Sequence, residues 1–299
     1  MDIIRAQTFR GKLAKIWRFC VLDPRHYQIG ILSSLILLGI SKFGFHIPWW
    51  HALACIGSAL VTQFVGDKIL KRRFDIRSPL ISSLSLTLLL RTGSISLSIL
   101  AGVLAIGAKY LIRFKGKHVF NPANFGIVIV ALLFTGAWVS PGQWGTAPLL
   151  ALWFAGLGVL VTTKAKSLDL TGAFLVFYAA LIFGRALWVG DPMTIPLHQM
   201  QSGALLLFAF FMISDPKTTP NARAGRIAYT ACVALIGFVL QFAFYQSAGV
   251  IYALILTAPL VPLFDNLFPA KAYQWPSLLQ PVSHSKGVSH EKNIKIFAE

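Results

Sequence analysis

The chain has 299 residues, 56% of them hydrophobic and only 12% charged, with a mean hydropathy of +0.69. A soluble domain carries about twice that share of charge, so the composition excludes an ordinary globular protein and describes one that crosses a lipid bilayer repeatedly. The net charge of +17 does not argue for nucleic acid, because the 27 lysines and arginines fall in short clusters between apolar runs, as the loops on the cytoplasmic side of a membrane protein do.

Residues 1–26 are read as a basic amphipathic cytoplasmic segment. Phe9, Leu13, Ile16 and Trp17 repeat at helical spacing, with Arg5, Lys12, Lys15 and Arg18 on another side. That pattern fits an interfacial helix, and no apolar run follows the first charges as a signal peptide requires. Ten apolar segments follow: 27–46, 50–69, 79–91, 95–113, 122–139, 147–163, 168–188, 200–214, 226–244 and 249–266. With a cytoplasmic N-terminus, the loops that carry Lys71 to Arg77, Lys109 to Lys117, Lys164 with Lys166, and Lys217 to Arg226 all fall on one side. Only Lys42, Arg91 and Arg185 lie towards the other. Residues 267–299 read as a polar cytoplasmic tail.

Segments three and eight are the shortest, well under the roughly 20 residues a crossing needs. Each is the third member of a block of five, 27–139 and 147–266. An odd number of crossings per block forces the two blocks into opposite orientation, and paired short segments in such halves point to a central site. The expected fold is therefore an all-α polytopic membrane protein of about ten transmembrane segments, in two inverted five-helix repeats with discontinuous third helices. Two unrelated short helices are the plainer alternative.

Segment eight runs into Ser214-Asp215-Pro216-Lys217-Thr218-Thr219-Pro220-Asn221-Ala222-Arg223. Asp215 can cap the return to segment nine, Thr218, Thr219 and Asn221 offer hydrogen bonds, and Arg223 and Arg226 supply positive charge. A pocket for an oxygen-rich aromatic or phosphorylated ligand fits, as does an ordinary capped loop. Asn121 and Pro122 read as the N-cap and first position of segment five. Asn124, one turn inside an apolar helix, needs a partner, either a polar ligand or facing backbone. Arg91 precedes Thr92-Gly93-Ser94, a break where a guanidinium can hold an anion or a lipid headgroup. Asp67 beside Lys68 and Arg185 near an outer end are read as snorkelling residues. The three cysteines, Cys20, Cys55 and Cys232, lack metal or CxxC spacing and read as packed apolar residues. The Ser140–Pro148 loop is a charge-free glycine-rich turn. No hydrolytic triad, carboxylate pair or phosphate-cradling loop is present.

The stretch Ser202–Arg226, together with His118–Gly126 and the Asp23–Gly30 opening of segment one, resembles the NqrB/RnfD/RnfE family of membrane electron-transport subunits, particularly its stand-alone RnfD-like or UnbU-like members. The resemblance spans about residues 20–268. It implies ten helices in inverted repeats and a flavin. Family members carry FMN on a threonine within a motif similar to D-x-x-S-G-A-T, and Thr146 falls on that position. Here Ser140 stands for the aspartate and Gln143-Trp144-Gly145 for Ser-Gly-Ala. Riboflavin bound without a covalent bond is a further implication, with Asn121, Asn124, Asp215, Thr218, Thr219, Asn221, Arg223 and Arg91 as candidate contacts. The implied role is a subunit of a flavin-linked electron-transport system in the bacterial inner membrane, both termini cytoplasmic, working with other subunits and coupled to ion movement. A small-solute transporter or channel on the same fold, without a redox cofactor, is the competing reading.

Overall fold

The computed structural model describes residues 23–140 and 148–274, and the unit Asp23–Tyr273 contains nearly all of them. The basic segment up to Leu22, the turn 141–147 with Thr146, and the tail from 275 lie outside the described residues. The first half contains α1 (Pro24–Lys42), α2 (Trp49–Ile69), α3 (Arg77–Leu89), β1 (Leu90–Thr92), α4 (Ile95–Leu111), the short strands β2 (Arg113–Phe114) and β3 (Lys117–His118), α5 (Pro122–Leu133) and β4 (Ala137–Val139). The second half contains α6 (Pro148–Lys164), α7 (Leu168–Val189), α8 (Thr194–Met200), α9 (Gly203–Leu207), a π-helical turn Phe208–Met212, α10 (Arg223–Phe242), α11 (Gly249–Thr257) and α12 (Val261–Leu267).

Among the described residues, four stretches are long and apolar enough to cross a membrane: α2, α7, α10 and the run Gly249–Leu267. A fifth counts if α8 and the Gly203–Met212 segment, bent by 44° to each other, form one span. The described chain is thus a mostly helical polytopic membrane protein. It is not purely α-helical, because four short strands form two antiparallel ladders, β1 with β4 and β2 with β3.

Those ladders have local causes. Lys115 and Gly116 both have positive φ, 46° and 80°, which is the turn geometry that matches the twist of a two-residue hairpin. β1 begins where α3 stops, and it lengthens a segment that is otherwise too short. Thirteen helical residues rise about 20 Å, and three extended residues add about 10 Å. Together they match α4, which lies alongside: Ser78 at the start of α3 bonds Lys109 near the end of α4, and Thr92 bonds Ser98 near its start. The third segment therefore covers the length of a neighbouring helix, although its helical part alone does not.

In the first half, α2 and α4 run parallel, joined at one end by His51 and Ser98 and at the other by Gln63 and Lys109. In the second half, α7 and α10 run parallel, joined by Asp169 and Arg226 near their starts and by Tyr178 and Gln241 further along. Small residues set the closest approaches. A Cβ on Gly126 of α5 would come within 2.5 Å of the Ala101 carbonyl oxygen of α4, and one on Gly249 of α11 within 2.6 Å of the Gly237 carbonyl oxygen of α10. Membrane helices pack by this kind of backbone proximity because burial of apolar surface gives them little drive to associate.

Candidate functional site

The broken segment of the second half is bridged to several distant parts of the chain. Every residue from Ala204 to Ser214 is buried. A π-helical turn displaces carbonyls from the regular ladder, and such turns concentrate at functional sites. Donors from four parts of the chain meet four successive carbonyls. Thr171 of α7 donates to Ala209 (2.7 Å), Ser214 to Phe210, Gln28 of α1 to Phe211 (3.5 Å) and Asn121 to Met212 (3.2 Å). Asn121 also acts locally. Its Oδ1 accepts from the Asn124 backbone N–H at 3.1 Å, so it is the N-cap of α5, with Pro122 at the first position. The Asn124 amide donates to the Ile251 carbonyl at 2.8 Å and approaches the Met212 sulfur at 3.6 Å. Facing backbone supplies the partner that its apolar setting demands.

The Asp215–Asn221 loop is internally tied. Its threonines donate to the Asp215 carbonyl, Thr218 at 3.4 Å and Thr219 at 3.0 Å, and both are buried. The Asp215 carboxylate accepts from the Lys217 backbone N–H at 3.0 Å, a local turn. It does not cap α10, whose N-cap is Ala222 without a side-chain bond. Burial raises the Asp215 carboxyl above its ordinary range, and burial likewise lowers Lys217. Lys117, reaching in from the β2–β3 hairpin, donates to the Thr219 carbonyl and pairs with Asp265 at 2.9 Å, while Asp265 also accepts from the Asn221 N–H at 2.8 Å. Arg226 is paired with Asp169 at 2.9 Å, whereas Arg223 is exposed.

Arg91 is not brought to this site. It is buried at the other break, where its guanidinium donates to the Thr87 and Leu90 carbonyls at 2.8 Å each, answering acceptors that the end of α3 leaves open. Beside it, Thr92, Ser98 and His51 share hydrogen bonds, and the Cys55 sulfur lies 3.7 Å from the Ser98 carbonyl oxygen. The Ser140 N–H bonds the Leu89 carbonyl, which places Ser140 at the same end of α3 as this cluster. Thr146 itself lies outside the described residues.

Two expectations about lone charges change. Asp67 does not pair with Lys68; it accepts from Gln63 (2.6 Å) and Tyr110 (2.8 Å), and Gln63 in turn accepts from Lys109 (2.6 Å). Arg185 pairs with Asp191 at 2.6 Å and lies over the Phe242 ring at 4.4 Å.

Sequence reasoning missed a closed ring of four ions. Asp23, Arg25, Asp75 and Arg77 make four carboxylate–guanidinium contacts, each at 2.7 Å. They pin the start of α1 to the start of α3. The signal was present as a repeated Asp-x-Arg triplet at the head of both segments. Burial alone would raise the Asp75 carboxyl, but hydrogen bonds from Arg77 and the charge of Arg25 outweigh it and hold the group below its usual range.

The fold and this site define a class: a polytopic helical membrane protein whose second half is broken at a buried, polar-bridged turn. The family comparison bears on that half. Residues 133–274 are similar to the model of the NQR2, RnfD, RnfE family, a stretch that includes Ser202–Arg226. Among curated proteins, the D component of the ion-translocating oxidoreductase complex of Cronobacter sakazakii is 29% identical over 159 residues, 53% of this chain and 44% of that protein. The corresponding proteins of Citrobacter koseri and of an Escherichia coli strain are 29% and 30% identical over 121 residues, 40% of this chain and 35% and 34% of theirs. The matched region thus spans less than half the length of these relatives.

Proposed function

We propose that this protein is the membrane subunit of a flavin-linked electron-transport system of RnfD/NqrB type, coupled to ion translocation and assembled with other subunits in a bacterial inner membrane. The observation that carries the reading is the Ser202–Arg226 stretch. It lies within the family match and forms the buried π-helical break on which α1, α5 and α7 converge.

The ten-segment inverted repeat belongs to the same proposal. Its support is the parallel second and fourth members of each half, and their opposite sense. The pair α2/α4 ends at Lys109, next to Ser78 and the ion ring. The pair α7/α10 begins on that same basic side, where Lys164 lies 4.6 Å over the Tyr27 ring. A cytoplasmic location for this side, and for both termini, follows from the positive-inside rule.

FMN on Thr146 and riboflavin near the Asp215–Arg226 loop are the proposed cofactors. A flavin supplies the redox chemistry, and the protein holds it and controls its surroundings. Asn121, Asn124, Thr218 and Thr219 make their hydrogen bonds inside the protein, so the riboflavin part rests on Arg223 and on the Asn221 side-chain amide, whose oxygen also accepts from Lys117 at 3.3 Å. Ser140, the last described residue before Thr146, lies at the end of α3 away from the basic side.

The test is the visible spectrum of the purified protein before and after chemical reduction. A flavin band that bleaches on reduction supports electron transfer. A colourless protein that carries a small polar solute into liposomes gives the fold to a transporter instead.

A further inference from the structure

A cavity of about 250 Å³ opens between the β2–β3 hairpin and α12, lined by Phe114, Lys115, Lys117, His118, Asp265 and Asn266 among others. Its polar equipment is mixed. Lys115 is exposed, with its ammonium 5.5 Å over the Phe114 ring. Lys117 is neutralised by Asp265, leaving a net positive wall. His118 contributes an acceptor. Its ring bonds the backbone of Lys109, and burial together with Lys109 and Arg113 lowers its pKa to about 4, so the ring is neutral at pH 7. A neutral imidazole that donates through one nitrogen offers the other as an acceptor, and His118 Nδ1 is buried without a hydrogen-bond partner. Directly across the ladder, Arg113 Nε is also buried and unsatisfied. Orphaned buried groups of this kind call for a ligand or water.

The rim adds a third feature. Phe114 on the hairpin (46% exposed), with Val119, Val261 and Pro262, presents apolar surface beside a basic opening. An ammonium wall selects phosphate, a buried imidazole acceptor selects a hydroxyl donor, and an apolar rim selects acyl chain. Basic groups at the boundary of a membrane span attract anionic headgroups.

We propose that this cavity is a binding site for an anionic phospholipid whose headgroup carries free hydroxyls, as phosphatidylglycerol does. The phosphate lies against Lys115 and a headgroup hydroxyl donates to His118 Nδ1, with the amide of Asn266 beside it. Asn221, a proposed riboflavin contact, also lines this cavity, so the experiment reads lipid and flavin separately.

The experiment uses the full chain, purified in detergent, delipidated and offered phosphatidylglycerol, phosphatidic acid or phosphatidylethanolamine, with bound lipid read by native mass spectrometry. Phosphatidylglycerol is retained over phosphatidylethanolamine by about tenfold. Lys115→Glu removes that preference, whereas Arg73→Glu, which changes charge at another exposed position of the basic side, leaves it. His118→Phe narrows the preference for phosphatidylglycerol over phosphatidic acid, which lacks the hydroxyls, without abolishing anion binding. Lys115 is exposed and its substitution spares the Lys117–Asp265 pair, so a folded variant is expected. Glycerol 3-phosphate at millimolar concentration does not displace the lipid; displacement would overturn the lipid assignment and make the ligand a soluble phosphorylated polyol. Equal retention of the three lipids, or a Lys115→Glu protein that binds like the parent, overturns the site altogether. Loss of flavin from Lys115→Glu with lipid binding unchanged would also overturn it and give the cavity to the cofactor.

Discussion

The two broken segments stop their helices by different means. In the first half, α3 ends and the chain becomes a strand; β4 pairs with it, and Arg91, only two residues beyond the helix, covers the open carbonyls. In the second half the helix widens into a π-turn, and its freed carbonyls are met by Thr171, Gln28 and Asn121 from distant parts of the chain. The first break is closed largely by its own neighbourhood. The second exists only when α1, α5 and α7 are assembled around it, so any change there is felt across the bundle. Coupling of this sort needs a packed, shared network, which is where a moving function is best placed.

The largest effect is expected at the basic end of the first half. Asp23→Ala leaves Arg25 and Arg77 without their shared carboxylate, and breaking a buried pair costs about 3–5 kcal/mol. The thermal unfolding midpoint in detergent should drop by several degrees, and a drop no larger than that of a surface variant would remove the ion ring from the account. Next comes Asn124→Leu, which strips a buried bond to the Ile251 carbonyl and should cost about 1–3 kcal/mol by the same assay. The comparison itself is sharpened by a double-variant cycle. Thr171→Val with Asn121→Ala, both on the π-turn, should depart from additivity by at least about 0.5 kcal/mol, while Thr171→Val with Arg91→Met should add. Additivity in both cycles would mean the second break is no more collective than the first.

The smallest effect is a pH dependence. His118 has a folded pKa near 4 against an ordinary value of 6.5. The unfolded chain therefore takes up a proton that the folded one refuses, and stability falls as pH drops from about 6.5 towards 4. His118→Gln should flatten that slope in a pH series of unfolding midpoints.

Much of this was legible in the sequence. Composition and the clustering of Lys and Arg described a polytopic membrane protein, and the cap formed by Asn121 and Pro122 could be read from residue types alone, because capping is local. The partner of Asn124 could be demanded but not identified, since Ile251 lies in another helix far along the chain. The repeated Asp-x-Arg triplet was visible, yet only tertiary structure brings Asp23 to Arg77. The π-turn left no trace in an apolar run, and the β1–β4 ladder was hidden because three-residue strands carry no periodicity. Asp215 suits a helix cap by residue type, but its carboxylate accepts from the Lys217 N–H inside the loop and Ala222 is the N-cap of α10.

A flavin-linked subunit is tested by fluorescence of the denatured protein on a gel, parent beside Thr146→Ala, from cells that also make a flavin transferase. Such a subunit gives a fluorescent parent band, a dark variant band, and flavin released from the native parent in excess of the covalent portion. A parent that is dark and releases no flavin in any form contradicts it, and flux of a small polar solute would then be the activity to measure.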